Sequence, residues 1–318
     1  MNNLLVLGGT GFVGRSVCER LVERGGGGGG RITVPTRWPS RAGHILMLPT
    51  LEVTPADLHD DAQLARLVAG RDAVINLVGT LHGTAAEFQR VHVDLPARLA
   101  RACRAAAVRR ILHVSAIGAD AAAPSMYLRS KGAGEAALRD AGLALTVFRP
   151  SVMFGEHDRF INLFARLQAV FPVLPLAGAD ARFQPVWVED VAAAIVRALD
   201  TPATIGQVIE CAGPAVCTLK ELVSQAGHWS GHARAVVALP AALGRVQAML
   251  LEWLPGPPLM SRDNLDSMRV ASVAGGKLPG LASLRITPSS IASVMAPLLG
   301  GRGGPARLEP WRALARRR

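Results

Sequence analysis

Seven residues near the start constrain this chain more than any others: Gly8-Gly9-Thr10-Gly11-Phe12-Val13-Gly14. They follow a short apolar run, Leu4–Leu7, and open a helical pattern over Phe12–Arg24. Gly8, Gly11 and Gly14 give the spacing GxxGxxG. The first two glycines permit a tight turn whose N–H groups can approach a pyrophosphate. The third lets helix and strand pack closely, and the helix N-terminus supplies positive potential to the anion. In a strand-turn-helix setting this predicts a dinucleotide-binding loop built from Gly8, Thr10, Gly11, Phe12, Val13 and Gly14.

The pattern that follows agrees. Strands are predicted at Leu4–Leu7, Ile32–Pro35, Leu51–Thr54, Ala73–Leu77, Ile111–Ser115 and Thr146–Arg149, with helices at Phe12–Arg24, Asp60–Ala69, Ala85–Ala106 and Met126–Ala141. The strand runs are apolar throughout rather than alternating, which suits a parallel sheet covered on both faces. The fold class is therefore α/β, a Rossmann-type doubly wound parallel sheet. We expect a dinucleotide-binding domain at 1–150, a smaller C-terminal α/β substrate or docking region at 151–300 interleaved with it, and a disordered basic tail at 301–318. In the second region a strand is expected at Val208–Cys211, and Thr218 to Glu221 forms a capping box. Glu189-Asp190 should cap a helix. Residues 236–260 are apolar and partly amphipathic, ending in Pro255-Gly256-Pro257-Pro258. Six glycines at 25–30 read as a flexible loop insertion.

Composition bounds the rest. At 318 residues, 50% hydrophobic and 19% charged, the chain can bury a sizeable core. The net charge is +11, of which residues 302–318 supply +5 from six Arg and one Glu. A basic end favours an anionic surface. No nucleic-acid module appears, so nucleic acid is not expected as a partner. Cys18, Cys103, Cys211 and Cys217 show no metal-ligand spacing, so no metal site is expected. No secretory signal precedes the first strand, and apolar runs are broken short of membrane-spanning length, for example by Arg166, Arg245 and Glu252. The expected setting is cytoplasmic, with peripheral attachment to the inner face of the cytoplasmic membrane as its extension.

Two positions bear on cofactor choice. The second strand runs into Thr36-Arg37 with no carboxylate, where NAD binders usually place an acidic side chain for the ribose hydroxyl. Arg37 can pair with a 2′-phosphate, which favours NADP while leaving NAD open. Asp57 follows the third strand, placed to bond an adenine amino group or to serve as a turn residue.

Only one tyrosine and three lysines occur in the chain, yet Lys131 lies four residues after Tyr127. On a helix, i and i+4 share a face. A tyrosine ionises near about pH 10, and a nearby ammonium lowers that. Tyr127 is thus a candidate acid/base with Lys131 as its tuner. Ser115, at the end of the fifth strand, would position a substrate oxygen. His113 reads as a core histidine, Asp158-Arg159 as either ligand-facing or a surface ion pair, and Trp229 and Trp253 as core or partner-facing residues.

These motifs together resemble an extended or atypical short-chain dehydrogenase/reductase. The resemblance rests on residues 8–14, Asp57, Asn76-Leu77-Val78-Gly79, Ser115, Tyr127 with Lys131, Arg149-Pro150-Ser151, and the stretch from Phe183 to Ala192. It implies further cofactor contacts at Leu58, Val78, Gly79, Lys131, Pro150 and Val152. Phe154-Gly155, Asp158-Arg159-Phe160 and residues 257–264 are most similar to the branch of the complex I accessory subunit nine of the alpha subcomplex and its bacterial relatives. That branch implies NADP(H) binding and association with respiratory-chain or quinone-related machinery at a membrane surface. The functions to weigh are an NADP(H)-dependent oxidoreductase or epimerase-type enzyme acting on an unidentified small molecule, a non-catalytic NADPH-binding accessory protein, and a nucleotide-sugar epimerase or dehydratase. The last is weakened because the fourth helix carries Val91-His92-Val93-Asp94 where such epimerases carry an Asn-Val-x-Gly-Thr-like run.

Overall fold

The computed structural model describes residues 1–26, 30–253, 256 and 258–300. Residues 27–29 of the six-glycine insertion, Leu254, Pro255, Pro257 and the basic tail lie outside the described residues.

The first half runs β1 (Asn3–Leu7), α1 (Phe12–Arg24), β2 (Arg31–Thr36), β3 (Leu51–Pro55), α2 (Asp61–Val68), β4 (Ala73–Asn76), α3 (Ala85–Phe88), α4 (Leu95–Ala105), β5 (Arg110–Val114), α5 (Met126–Arg139) and β6 (Ala144–Pro150). The second half continues β7 (Met153–Phe154), α6 (Ile161–Val170), β8 (Val173–Leu176), β9 (Arg182–Phe183), β10 (Val186–Trp187), α7 (Val188–Leu199) and β11 (Val208–Cys211). It closes with β12 (Cys217–Thr218), α8 (Leu219–Trp229), β13 (Ala235–Ala238), α9 (Ala241–Glu252), α10 (Arg262–Ser267) and α11 (Ile291–Gly300).

Seven strands form one parallel sheet in the order β11-β6-β5-β4-β1-β2-β3. Successive side chains alternate between its faces. Leu4, Val6, Val34, Ile75 and Leu112 meet α1 and α7 through Val17, Leu21, Val191 and Ile195. Leu5, Leu7, Val74 and Ile111 meet α2, α4 and α5 through Leu64, Leu99 and Leu138. Both faces are dry, which explains the unbroken apolar strand runs. A separate core, with Phe154, Phe164, Leu174, Leu222 and Met295, lies under α6, α8 and α11. β11 belongs to the second half of the chain yet pairs with β6, so the two halves interlock.

Two expectations are corrected. The helix expected over 85–106 is interrupted by a π-helical stretch at Gln89–Asp94, where Leu95 N–H donates to Arg90 O. Pro96, near the start of α4, has no N–H to give the His92 carbonyl, so the helix takes in an extra residue there. Glu189 and Asp190 do not cap α7, whose N-cap is Trp187. They occupy its first turn and reach elsewhere: Glu189 accepts from Arg20, and Asp190 accepts from Ser289 N–H at 2.7 Å. The capping box at Thr218 and Glu221 forms as expected.

Candidate active site

Chain order reverses at β1: β2 and β3 lie on one side of it, β4 and β5 on the other. Ligands of open α/β sheets bind beyond the strand C-termini at such a switch point. A cleft of ≈ 1310 Å³ opens there, and its floor includes Gly8, Thr10, Gly11, Phe12, Val13 and Gly14 after β1. Gly8 has φ +80, a left-handed backbone that favours glycine. A Cβ at Gly14 would overlap the Gly8 carbonyl and the Gly9 backbone, so α1 can start this close to β1 only with glycine. The floor is thus a cradle that any side chain would fill, and it fits a pyrophosphate on the N-terminus of α1.

Ser115, Tyr127, Lys131, Gly79, Pro150 and Val152 line the same cleft. Lys131 is 5% exposed, and its Nζ donates to the Val114 carbonyl at 3.2 Å. Gly79 makes room for it, since a Cβ there would stand 3.0 Å from Nζ. Burial lowers Lys131 to about 8, partly opposed by the negative charge of Glu135. Burial raises Tyr127 to about 12, which corrects the expectation that Lys131 brings it toward neutrality in the chain alone. The cause is desolvation of the phenolate. The Ser115 hydroxyl is buried and has no partner among the described residues.

Thr36, Arg37, Asp57, Leu58 and Val78 stand outside the walls of the cleft. Arg37 is exposed at the end of β2, where no carboxylate accompanies it. One Asp57 oxygen accepts the His59 N–H at 3.0 Å, a local turn bond. Val78 packs against the α2/α4/α5 core, and its N–H donates to Asn76 Oδ1 at 3.2 Å. Asp158 proves to be structural: its carboxylate accepts the N–H groups of Phe160 and Ile161 at 2.8 and 2.6 Å and is bonded by Asn162, fixing the start of α6. Arg159 lines the cleft beside it. His113 is buried in β5 and held at about 3 by burial and the nearby Lys131, as befits a neutral core histidine.

Several residues escaped sequence reasoning because their partners are distant in the chain. His92, in the π-helical stretch, accepts the Thr80 N–H on Nε2 at 3.0 Å. Its Nδ1 must then carry the proton and donate to Ser130 Oγ at 2.8 Å, and Ser130 Oγ donates to the Tyr127 carbonyl. Burial, reinforced by Lys131 and His113, lowers His92 to about 2 and keeps it neutral. The loop after β4 is thereby tied to α5. Asp263 in α10 accepts the N–H groups of Met126 and Tyr127 at 2.6 and 3.1 Å, capping α5 from the second half of the chain. Glu135, one turn beyond Lys131, is held by Arg149 through two bonds of 2.9 and 2.7 Å. The arrangement can bind a dinucleotide and offer a hydroxyl pair, Ser115 and Tyr127, to a substrate oxygen.

Among the described residues no cluster of His, Cys, Asp and Glu could hold a metal ion, and no helix is long and apolar enough to cross a membrane. Trp229 packs against the core under α6, α8 and α11, whereas Trp253 is 76% exposed.

Residues 4–212 match the NAD dependent epimerase/dehydratase family. The chain is 31% identical over 296 residues to the mouse protein NADH dehydrogenase [ubiquinone] 1 alpha subcomplex subunit 9, mitochondrial, covering 90% of this chain and 76% of that one. It is 33% identical over 207 residues to a ceramide reductase of Caulobacter vibrioides, covering 62% of this chain and 61% of that one. In fold it is similar to dTDP-glucose 4,6-dehydratase from Streptomyces venezuelae, with a TM-score of 0.73, 22% identity, and coverage of 97% and 99% of the two chains. The glycine cradle, the Ser115-Tyr127-Lys131 set and these relationships converge: the chain belongs to the NAD-dependent epimerase/dehydratase family of extended short-chain dehydrogenase/reductases, together with the subunit-nine proteins of complex I.

Proposed function

We propose that the protein is an NADP(H)-dependent oxidoreductase in which Ser115, Tyr127 and Lys131 handle the substrate oxygen. The observation that carries this reading is that all three line one cleft with the glycine cradle, and that the Ser115 hydroxyl is buried there without a partner. A buried, unbonded hydroxyl is costly and calls for a ligand. A bound nicotinamide would supply or accept the hydride. Gly8, Thr10, Gly11 and Gly14 would hold its pyrophosphate, and Lys131, Gly79, Pro150 and Val152 its nicotinamide half. Tyr127 holds the proton exchanged with the substrate oxygen, Ser115 donates a hydrogen bond to that oxygen, and Lys131 keeps a positive charge beneath both. With a value of about 8, Lys131 is mostly charged near neutrality. Arg37, with no carboxylate at the end of β2, supports NADP over NAD. Tyr127→Phe is expected to abolish turnover and leave NADPH affinity within about twofold; undiminished turnover would sink the reading.

One observation favours a second reading. Leu243, Val246, Leu250 and Trp253 are 48–76% exposed and recur along one side of α9. An exposed apolar stripe of this kind marks a partner or membrane surface. With the subunit-nine relationship over 90% of the chain, it supports an accessory role in which NADPH is held without turnover on a respiratory complex or at the inner face of the membrane. That role predicts stoichiometric NADPH in the purified protein and recovery with membranes. Recovery only in the soluble fraction counts against it.

A further inference from the structure

From the wall of the cleft we infer that the substrate is a neutral, lipophilic carbonyl or hydroxyl compound rather than a nucleotide-linked sugar; this rests on the oxidoreductase reading. Asp263 caps α5 at Tyr127, so the segment that contains it lies against the reacting end of the cleft. The residues that this segment and α6 present there include Leu259, Met260, Met268, Val270, Phe160 and Leu163.

The polar residues that line the cleft are mostly bonded to protein neighbours. Asn264 pairs with Ser261 at 3.0 and 3.2 Å, Glu87 is bound by the Thr84 cap, and Ser272 shares a bond with Ser151. Asp158 is spent on the start of α6, and Arg15 is bound to Glu19 and His157. On the residues that line the cleft, the buried side-chain atoms left without a partner are Ser115 Oγ, Ser267 Oγ and His82 Nδ1. Each belongs to a group that is neutral at physiological pH. Burial lowers His82 below its ordinary value, so its imidazole stays uncharged. Besides Lys131 and the Glu19-bound Arg15, the cation that lines the cleft is Arg159, exposed and without a partner among the described residues.

A nucleoside diphosphate would bring two or more negative charges to a surface that offers them one free arginine, Arg159, too little to replace their water. A neutral oxygen with a hydrocarbon chain meets instead a few unpaired neutral donors and a long apolar wall. The wall ends in exposed Leu81 and Leu259, 52% and 47% accessible, so a chain can leave the cleft over apolar surface.

The test is isothermal titration of the purified full-length protein with n-alkyl methyl ketones from 2-hexanone to 2-dodecanone, and with UDP-glucose. Affinity should rise about fourfold per methylene, as expected when each one is buried, with one ketone per chain. UDP-glucose should bind at least a hundredfold more weakly than 2-dodecanone. Leu259→Asp, at an exposed position that tolerates a charge, should cut the gain per methylene below twofold. Val173→Asp, on exposed surface outside the cleft walls, should leave it unchanged. Affinity that is flat along the series, uptake without fixed stoichiometry, or tighter binding of UDP-glucose overturns the inference. The measurement needs no turnover, so failure of the redox reading appears separately, as unimpaired Tyr127→Phe.

Discussion

Replacing Lys131 by methionine should make the protein more stable while removing its activity. The lysine is 5% exposed, and burial lowers it from 10.5 to about 8. That difference corresponds to about 3 kcal/mol spent on keeping the ammonium charged inside the fold. Methionine fills a similar volume and removes the charge. The loss is the bond from Nζ to the Val114 carbonyl, about 1.5 kcal/mol for a charged donor. Glu135 keeps its two bonds from Arg149, so its carboxylate is not stranded. The net gain is about 1–2 kcal/mol, or roughly 2–3 °C in Tm for a chain of this size. The pH dependence follows from the direction of the shift. The folded lysine takes up its proton below about 8, the unfolded one already below 10.5. The penalty is therefore complete below pH 8 and fades as pH climbs from 8 to 10.5. Thermal melts of wild type and Lys131→Met at pH 7 and pH 10 should show the variant ahead at pH 7 and the gap narrowing at pH 10. A variant less stable than wild type at pH 7, or a gap equal at both values, would refute the burial argument.

Two further substitutions probe the frame of the site. Gly14→Ala should reduce NADPH affinity at least tenfold and cost about 1–3 kcal/mol, because its Cβ collides with the Gly8 carbonyl; NADPH fluorescence titration and a urea midpoint read the two effects. Arg149→Met should destabilise by about 3 kcal/mol, because it leaves a Glu135 carboxylate that is 1% exposed without its main partner; a urea midpoint close to wild type would show that Arg139, 3.5 Å away, suffices.

How much was legible in the sequence depends on how local the signal is. β1, β2, β4, β5 and β6 announced themselves as mostly apolar runs because both faces of the sheet are covered there, whereas the edge strand β3 (Leu51-Glu52-Val53-Thr54-Pro55) has no buried residue. Tyr127 and Lys131 could be paired because four residues bring a helix back to the same side. The glycine cradle is likewise contained in seven residues. What stayed hidden is what one part of the chain does to a remote part. Nothing near Asp263 says that it caps a helix 137 residues upstream. His92 looks like any polar residue on a helix until Thr80 and Ser130 are seen on its two nitrogens. The extra residue in the helix at 89–94 is tied to Pro96, but a proline near the start of a helix usually does no harm, so the residue alone does not announce it. The second half was harder because β7, β9, β10 and β12 have two residues each, too few to show a period. The ionisation of Tyr127 was misjudged because sequence reveals a neighbouring charge more readily than a loss of water.

The pairing of β11 with β6 has a consequence for how this protein is made and cut. A chain ending near residue 150 contains the whole glycine cradle and all of Ser115, Tyr127 and Lys131, yet it leaves the edge of β6 bare from Val147 to Pro150. It also lacks α7, which covers one face of the sheet, and Asp263, which caps α5. Such a fragment would present unpaired N–H and C=O groups beside uncovered apolar surface, a template for self-association. A ribosome must therefore release residue 211 and more before the cofactor half can close, and a protease that cuts between the halves should leave both in one particle.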